Sequence, residues 1–256
     1  MSNRASCTAA IAAGFWIVPA FSAAAAPTLQ APAPAQGRSG VQAPTSAPTP
    51  LDRYLKNLKT LRVTFLQTVA DATGAEIGRS TGTLIVERPG KFSWDIHPQS
   101  VPQGATSAPG APPAKPPAAV PGGGQLMVSD GRNLWYLDRD LQQVTVRPVT
   151  AALSATPAML LSGTVAVREH FTESLVGMRQ GLNWVYVEPR STEADFKSAL
   201  FGFDAKGTLE RMILEDKLGQ VVTIVFQDVA VNVPVDAKEL TFTPPPGADV
   251  IGTPAQ

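Results

Sequence analysis

Thiol chemistry is nearly absent from this chain. Its 256 residues hold one cysteine, Cys7, so no intramolecular disulfide can form and no cysteine cluster can hold a metal. Histidine is almost as scarce. Only His97 and His170 occur, neither in an H-x-x-x-H or H-E-x-x-H spacing, so each reads as a surface residue rather than a metal ligand. Charged residues make up 16% of the chain and balance at 21 basic against 21 acidic, which speaks against nucleic acid or an anionic membrane surface as partner. No P-loop and no dinucleotide fingerprint is present, and no cofactor or metal is expected. No apolar run is long enough to suggest a membrane-spanning helix.

What the chain does have begins at its N-terminus. Arg4 precedes an apolar stretch from about Thr8 to Phe21 and a run of small residues, Ser22 to Ala26, the order of a cleavable secretory signal. Cleavage after Ala25 is expected, because cutting after Ala26 would place Pro27 on the carboxyl side of the scissile bond. Cys7 lies before the apolar core, not after it, so a lipidation site is not expected and the thiol leaves with residues 1–25. Loss of Arg4 leaves 20 basic against 21 acidic residues, a net charge of about −1. The mature chain is then expected to fold on its core alone.

Two segments have too little to bury. Residues 26–50 are mostly Pro, Ala, Ser and Thr, and residues 98–124 contain eight prolines and five glycines, so both are expected to be disordered. The first reads as a leader. The second interrupts a β pattern and reads as an insertion at a hairpin tip, with a proline-rich docking site as the alternative. Between and beyond them lies one domain, 51–250, followed by a tail, 251–256.

That domain alternates like β structure. Strands are predicted around Val63, Phe65 and Val69, then over 83–87, 91–96, 125–129, 133–137 and 144–146, and after a gap over 171–176, 182–187, 199–203, 208–215 and 221–231. Asp130-Gly131 marks a tight hairpin, and Asp204 to Gly207 and Asp216 to Gly219 mark turns. The result is a meander of about ten or eleven strands. Helical spacing appears twice, at Leu51, Tyr54, Leu55, Leu58 and Leu61, and over 151–162, where Leu153, Met159, Leu160 and Leu161 surround Pro157. Pro157 should break the second segment in two, and a further turn is expected over 168–171. Short apolar-striped helices must lie against something, and here that is the sheet.

Catalytic groups are hard to find. Gly78-Arg79-Ser80-Thr81-Gly82 fits the G-x-S-x-G pattern of a serine hydrolase, but that chemistry needs the serine on a strand-to-helix turn. A strand follows instead. The adjacent carboxylates Glu215 and Asp216, and Asp138 and Asp140, fall at turns where solvated charge is ordinary. The chain is not expected to be an enzyme.

The stretch Leu84 to Trp94 carries more information. Alternation puts Leu84, Val86 and Arg88 on one face, and Phe92 and Trp94 return to it after the Pro89-Gly90 turn. By pattern alone this is an ordinary core beneath two helices or the wall of a cavity. Arg88 tilts the balance, since a charge on a greasy face costs several kcal/mol unless it is paired.

Leu-Ile-Val-Glu-Arg-Pro-Gly-Lys-Phe-Ser-Trp (84–94), Leu-Met-Val-Ser-Asp-Gly-Arg-Asn-Leu-Trp-Tyr (126–136), Thr-Pro-Ala-Met-Leu-Leu (156–161) and Leu-Thr-Phe-Thr-Pro-Pro-Pro-Gly-Ala-Asp-Val (240–250) resemble the periplasmic outer-membrane lipoprotein carrier family, LolA. The resemblance covers nearly all of 51–250, in order. Departures are the insertion at 98–124 and the leader.

The resemblance implies a mainly β fold with a few short helices: a strongly curved, incompletely closed antiparallel β-barrel covered by a helical lid. Leu51 to Leu61 would form the first lid helix and 151–162 the second. It implies a monomeric periplasmic carrier that binds the acyl chains of lipoproteins in an apolar cavity, taking cargo from an inner-membrane lipoprotein-releasing ABC transporter and passing it to an outer-membrane acceptor. Val63, Phe65, Leu84, Val86, Phe92, Trp94, Met127, Leu160 and Leu161 are the candidate acyl-chain contacts. Arg88 would latch the lid by donating to backbone carbonyls near Leu55 and around Leu161 and Ser162. Three other readings stay open: a serine hydrolase acting through Ser80, a lipid or lipoprotein sensor of the same fold, and the membrane-anchored acceptor. The sensor reading is disfavoured by the lack of a second C-terminal domain, the acceptor reading by the missing lipidation cysteine.

Overall fold

The computed structural model describes residues 47–99, 123–149, 157–163, 167–192, 194 and 196–255, all within the unit Ala43–Gln256. The expected signal, nearly all of the leader, the greater part of the 98–124 insertion and residues 151–156 of the second helical segment lie outside the described residues.

The chain enters through α1 (Pro50–Asn57), capped by Thr49, whose hydroxyl accepts the Asp52 amide while the Asp52 carboxylate accepts the Thr49 amide. Leu51, Tyr54 and Leu55 form its buried stripe. Strands β1 (Thr60–Ala70), β2 (Glu76–Glu87), β3 (Lys91–Pro98), β4 (Gln125–Asp130), β5 (Asn133–Asp138) and β6 (Gln143–Pro148) follow. Next come α2 (Pro157–Ser162) and α3 (Val167–His170), then β7 (Phe171–Arg179), β8 (Leu182–Pro189), β9 (Phe196–Phe203), β10 (Leu209–Asp216) and β11 (Val221–Val231). A 3-10 turn, Ala237–Leu240, and β12 (Asp249–Ile251) end the chain.

Among the described residues the strands form one curved twelve-stranded sheet, ordered β12-β6-β5-β4-β3-β2-β1-β11-β10-β9-β8-β7. Every pairing is antiparallel except β12 with β6. The terminal strands β12 and β7 are not neighbours, so the barrel is incompletely closed.

Residues opposite one another on neighbouring strands share a face, which divides the apolar side chains into two layers. The inner layer runs from Trp94 and Phe92 on β3, through their register partners Leu84 and Val86 on β2 and Val63 and Leu61 on β1, to Phe226 on β11, Met212 on β10, Phe201 on β9 and Val185 on β8. It forms one cluster with α1 and α2. The outer layer holds Ile85, Val128, Leu137, Val144 and Val146, all buried. The segment after β11 lies over part of it, with Phe242 against the Trp135 ring at 5.5 Å and Leu240 buried.

Close packing of the inner layer requires Gly82. A Cβ there would stand 1.9 Å from the Asp95 carbonyl oxygen and 2.6 Å from the Phe65 ring. The bare backbone lets that ring cross β2 and meet Trp94 edge-on at 6.0 Å.

Several expectations are corrected. Leu61 is not on the first helix: α1 ends at Asn57, Leu58 is already extended, and Leu61 pairs with Val86 and Val231 in β1. Its i+3 spacing from Leu58 is a coincidence of a helix running straight into a strand. Pro157 opens α2, a first-turn position where its missing N–H costs no intrahelical bond, and the other part of the expected segment, 151–156, lies outside the described residues. Strand β2 starts at Glu76, seven residues before the expected Thr83, because pairing with β1 and β3 overrides its polar, glycine-containing sequence. Strand β12 was not expected at all; three residues carry no readable period.

Candidate functional site

The inner layer needs a cover, and α1 and α2 supply it. The β2–β3 turn, Arg88 to Gly90, ties both helices down. The Arg88 amide donates to the Lys59 carbonyl and the Gly90 amide to the Ser162 carbonyl, each at 2.8 Å. Arg88 Nη1 donates to the Leu55 carbonyl oxygen, also at 2.8 Å. Leu55 lies in the last turn of α1, where carbonyls have no intrahelical donor and the helix dipole favours a cation.

Arg88 is half-buried. Among the described residues no carboxylate pairs with it, and burial pushes its basicity down. The guanidinium also rests on the end of α2: a Cβ at Gly163 would lie 2.6 Å from Nη2, 2.7 Å from Nε and 2.9 Å from Cζ. Gly163 adopts φ +72° and its amide returns to the Leu160 carbonyl at 3.3 Å. It both ends α2 in the left-handed region and leaves room for the arginine.

The structure brings the sequence-predicted contact residues together. Val63, Phe65, Leu84, Val86, Phe92, Trp94, Leu160 and Leu161 belong to the inner cluster, and Met127, partly buried, packs against it. Leu55 supplies the carbonyl that Arg88 reaches. Ser162 is buried, donates its hydroxyl to the Met159 carbonyl, and meets the turn through Gly90 rather than through the guanidinium.

Sequence reasoning missed Gly163, although a glycine just after an apolar helical run is a C-terminal signal. It also left Tyr54 and the far wall, Val185, Phe201, Met212, Ile224 and Phe226, out of the candidate contacts. Ser80 sits inside β2 opposite Gln67 and Pro98, a strand position and not a nucleophile elbow. His97 Nε2 lies 3.3 Å from Asp95 Oδ1, and His170 is exposed. Among the described residues no group of His, Cys, Asp or Glu could hold a metal, and no helix is long and apolar enough to cross a membrane.

Among the described residues, Leu51, Leu84, Val86, Phe92 and Leu161 of the inner layer and its cover are fully buried. A groove of about 470 Å³ opens on the far side of α1, between Arg53, Tyr54 and Leu58 and the β9–β10 turn around Phe203 to Thr208. A second hollow of about 290 Å³ lies by Val176, Trp184 and Leu200. Neither is lined by the predicted acyl-chain contacts.

Comparison with known proteins gives a consistent assignment. The family model for outer membrane lipoprotein carrier protein LolA matches residues 56–101 and 122–243. The outer-membrane lipoprotein carrier protein of Dechloromonas aromatica is 36% identical over 202 residues, spanning 79% of this chain and 86% of that one. That of Nitrosospira multiformis is 34% identical over 201 residues, 78% of this chain and 86% of its own. A LolA superfamily protein from Nitrosomonas europaea, of known structure, aligns over 75% of this chain and 96% of its own with TM-score 0.39 and 13% identity. The matched segments include the Arg88 turn, α2 and the inner strands, and the chain belongs to the LolA family of outer-membrane lipoprotein carrier proteins.

Proposed function

We propose that this protein is a non-enzymatic, monomeric periplasmic carrier. It takes up the acyl chains of lipoproteins against its inner apolar layer, receives them from an inner-membrane lipoprotein-releasing ABC transporter and gives them to an outer-membrane acceptor. The observation that carries this reading is the continuous apolar wall from β3 to β8, covered by two short helices tied to one turn, α1 through the Arg88 guanidinium and α2 through the Gly90 amide. A plain structural core has no need of a charge at its cover.

Binding energetics explain why the inner layer is covered. Each buried methylene contributes about 0.8 kcal/mol, so a sixteen-carbon chain gains about 12 kcal/mol. An open basket would hold such cargo too well to release it. Here entry of cargo must pull Leu51 on α1 and Leu160 and Leu161 on α2, all at most 1% exposed, off the inner layer and break the Arg88 contact. The closed form offsets part of the binding energy, which keeps the cargo transferable. Val63, Phe65, Leu84, Val86, Phe92, Trp94, Met127, Leu160 and Leu161 become the lining once the cover lifts.

The test uses the purified mature protein and a triacylated lipoprotein in detergent-free buffer. The lipoprotein is expected to stay in solution as an equimolar complex and to move to vesicles bearing the acceptor. Arg88→Leu should still take up cargo but fail to pass it on, because the closed form no longer competes. Sedimentation of the lipoprotein with or without the protein would sink the carrier reading.

A further inference from the structure

Two buried hydrogen-bond donors in the inner layer have nothing to donate to. Tyr54 is 9% exposed and Trp94 7%, and among the described residues neither the Tyr54 hydroxyl nor the Trp94 indole Nε1 has a hydrogen-bond partner in the protein. Both belong to the apolar cluster proposed to receive acyl chains. Buried donors are nearly always paired, and an orphan left in an apolar core is a standing penalty that a phenylalanine would not incur. The other indoles with assigned bonds behave normally: Trp135 Nε1 donates to Asp130 Oδ2 at 3.2 Å, and Trp184 Nε1 donates to the Arg179 carbonyl at 3.1 Å.

The two donors stand on different walls. Trp94 lies on β3, whereas the Tyr54 ring packs against Phe203 on β9 at 5.4 Å, with β2, β1, β11 and β10 between those strands. Tyr54 also borders the groove beside α1. Burial pushes the hydroxyl's pKa well above its ordinary value, so it remains a donor at every physiological pH.

We propose that Tyr54 Oη and Trp94 Nε1 recognise the ester carbonyls through which acyl chains are joined to their carrier group, so that the protein selects acylated cargo over hydrocarbon chains of equal length lacking those carbonyls. The inference rests on the carrier reading and deepens it. Hydrocarbon supplies the affinity and offers no acceptor; a carbonyl brought in with the chain offers one to each orphan. Tyr54 rides on α1, so its bond forms with the cover in place, whereas Trp94 is fixed in the sheet.

The experiment measures competition between a synthetic tripalmitoyl lipopeptide with ester and amide linkages and its analogue in which the two esters are replaced by ethers. Wild-type protein should prefer the ester form by about tenfold, equivalent to about 1.4 kcal/mol. Tyr54→Phe and Trp94→Phe should each cut the preference to about threefold, and the double variant should bring it near parity. Because the readout is a ratio, any loosening of packing by Trp94→Phe moves both probes together. Tyr54→Phe should keep or raise the melting temperature, as an unpaired hydroxyl is removed. Equal wild-type binding of both probes, or an unchanged preference in the variants, overturns the inference and leaves the carrier reading standing. Failure of the wild type to bind either probe overturns both.

Discussion

Replacing Gly163 with alanine should loosen the cover through Arg88, and the size of the effect can be worked out. An alanine at φ +72° carries a left-handed penalty of about 1 kcal/mol. Its Cβ would also fall 2.6 to 2.9 Å from three guanidinium atoms of Arg88, closer than carbon and nitrogen can approach. The guanidinium must retreat by several tenths of an ångström, which takes Nη1 away from the Leu55 carbonyl it now meets at 2.8 Å. Hydrogen bonds to charged groups contribute about 1.5–3 kcal/mol, but Arg88 is half-buried and solvent screening reduces this to about 1 kcal/mol. The total, about 2 kcal/mol, is roughly a thirtyfold shift toward the open cover.

Hydrogen exchange at the Gly90 amide, which donates to the Ser162 carbonyl at the end of α2, reads that opening directly. Arg88→Leu, which keeps the apolar stem, should cost about 1 kcal/mol by itself. In the Arg88→Leu background Gly163→Ala should then cost only its backbone strain, about 1 kcal/mol, so the double variant falls about 1 kcal/mol short of the sum. Full additivity would show that Gly163 merely ends its helix, and the wedged guanidinium would have no energetic content.

Other perturbations have equally definite outcomes. Gly82→Ala forces a methyl into the Asp95 carbonyl and the Phe65 ring, so it should cost about 3 kcal/mol or more and lower the melting temperature by about 10 °C in calorimetry. Leu161→Ala, at a fully buried position, should cost about 3 kcal/mol, seen as a lower urea midpoint. Burial raises the Asp130 carboxyl, but the Asn133 and Arg132 amides and the Trp135 indole together outweigh it and hold the group below its ordinary value. Because the folded value is the lower one, its stabilisation is intact at neutral pH and disappears as pH falls through that value, below about 4. Trp135 fluorescence should report the loss, and Asp130→Asn should abolish that step. Fatty-acid release from a triacylated lipopeptide should be absent in wild type and Ser80→Ala alike; release that depends on Ser80 would restore the hydrolase reading.

The sheet was legible because one face of it is buried. Alternation at Val63 and Phe65, and at Leu84 and Val86, reports that face directly, and the Asp-x-x-Gly turns at 204 and 216 announce themselves: each aspartate Oδ1 accepts two amides of its own turn. The same motif at Asp71 to Gly74 was overlooked, and with it the outer half of β2. The helix ends were harder. Leu58 and Leu61 fit a helical stripe, yet tertiary pairing takes Leu61 into β1. Arg88 stood out because a charge interrupts an apolar face, whereas its seat on Gly163 depends on two segments 75 residues apart meeting, which no local pattern encodes. The unpaired state of Tyr54 and Trp94 is likewise a property of what is not near them.

The outer layer gives the molecule a second, independent anchorage. Phe242 on Trp135, buried Leu240 and the Ala255 amide bound to the Asn133 side chain at 2.6 Å grip the convex side, where no cargo would enter. The chain's last stretch therefore works as an external brace. If α1 and α2 lift as the proposed carrier cycle requires, the curvature of strands β3 to β6 is still held from behind, and the sheet would keep its shape through the cycle.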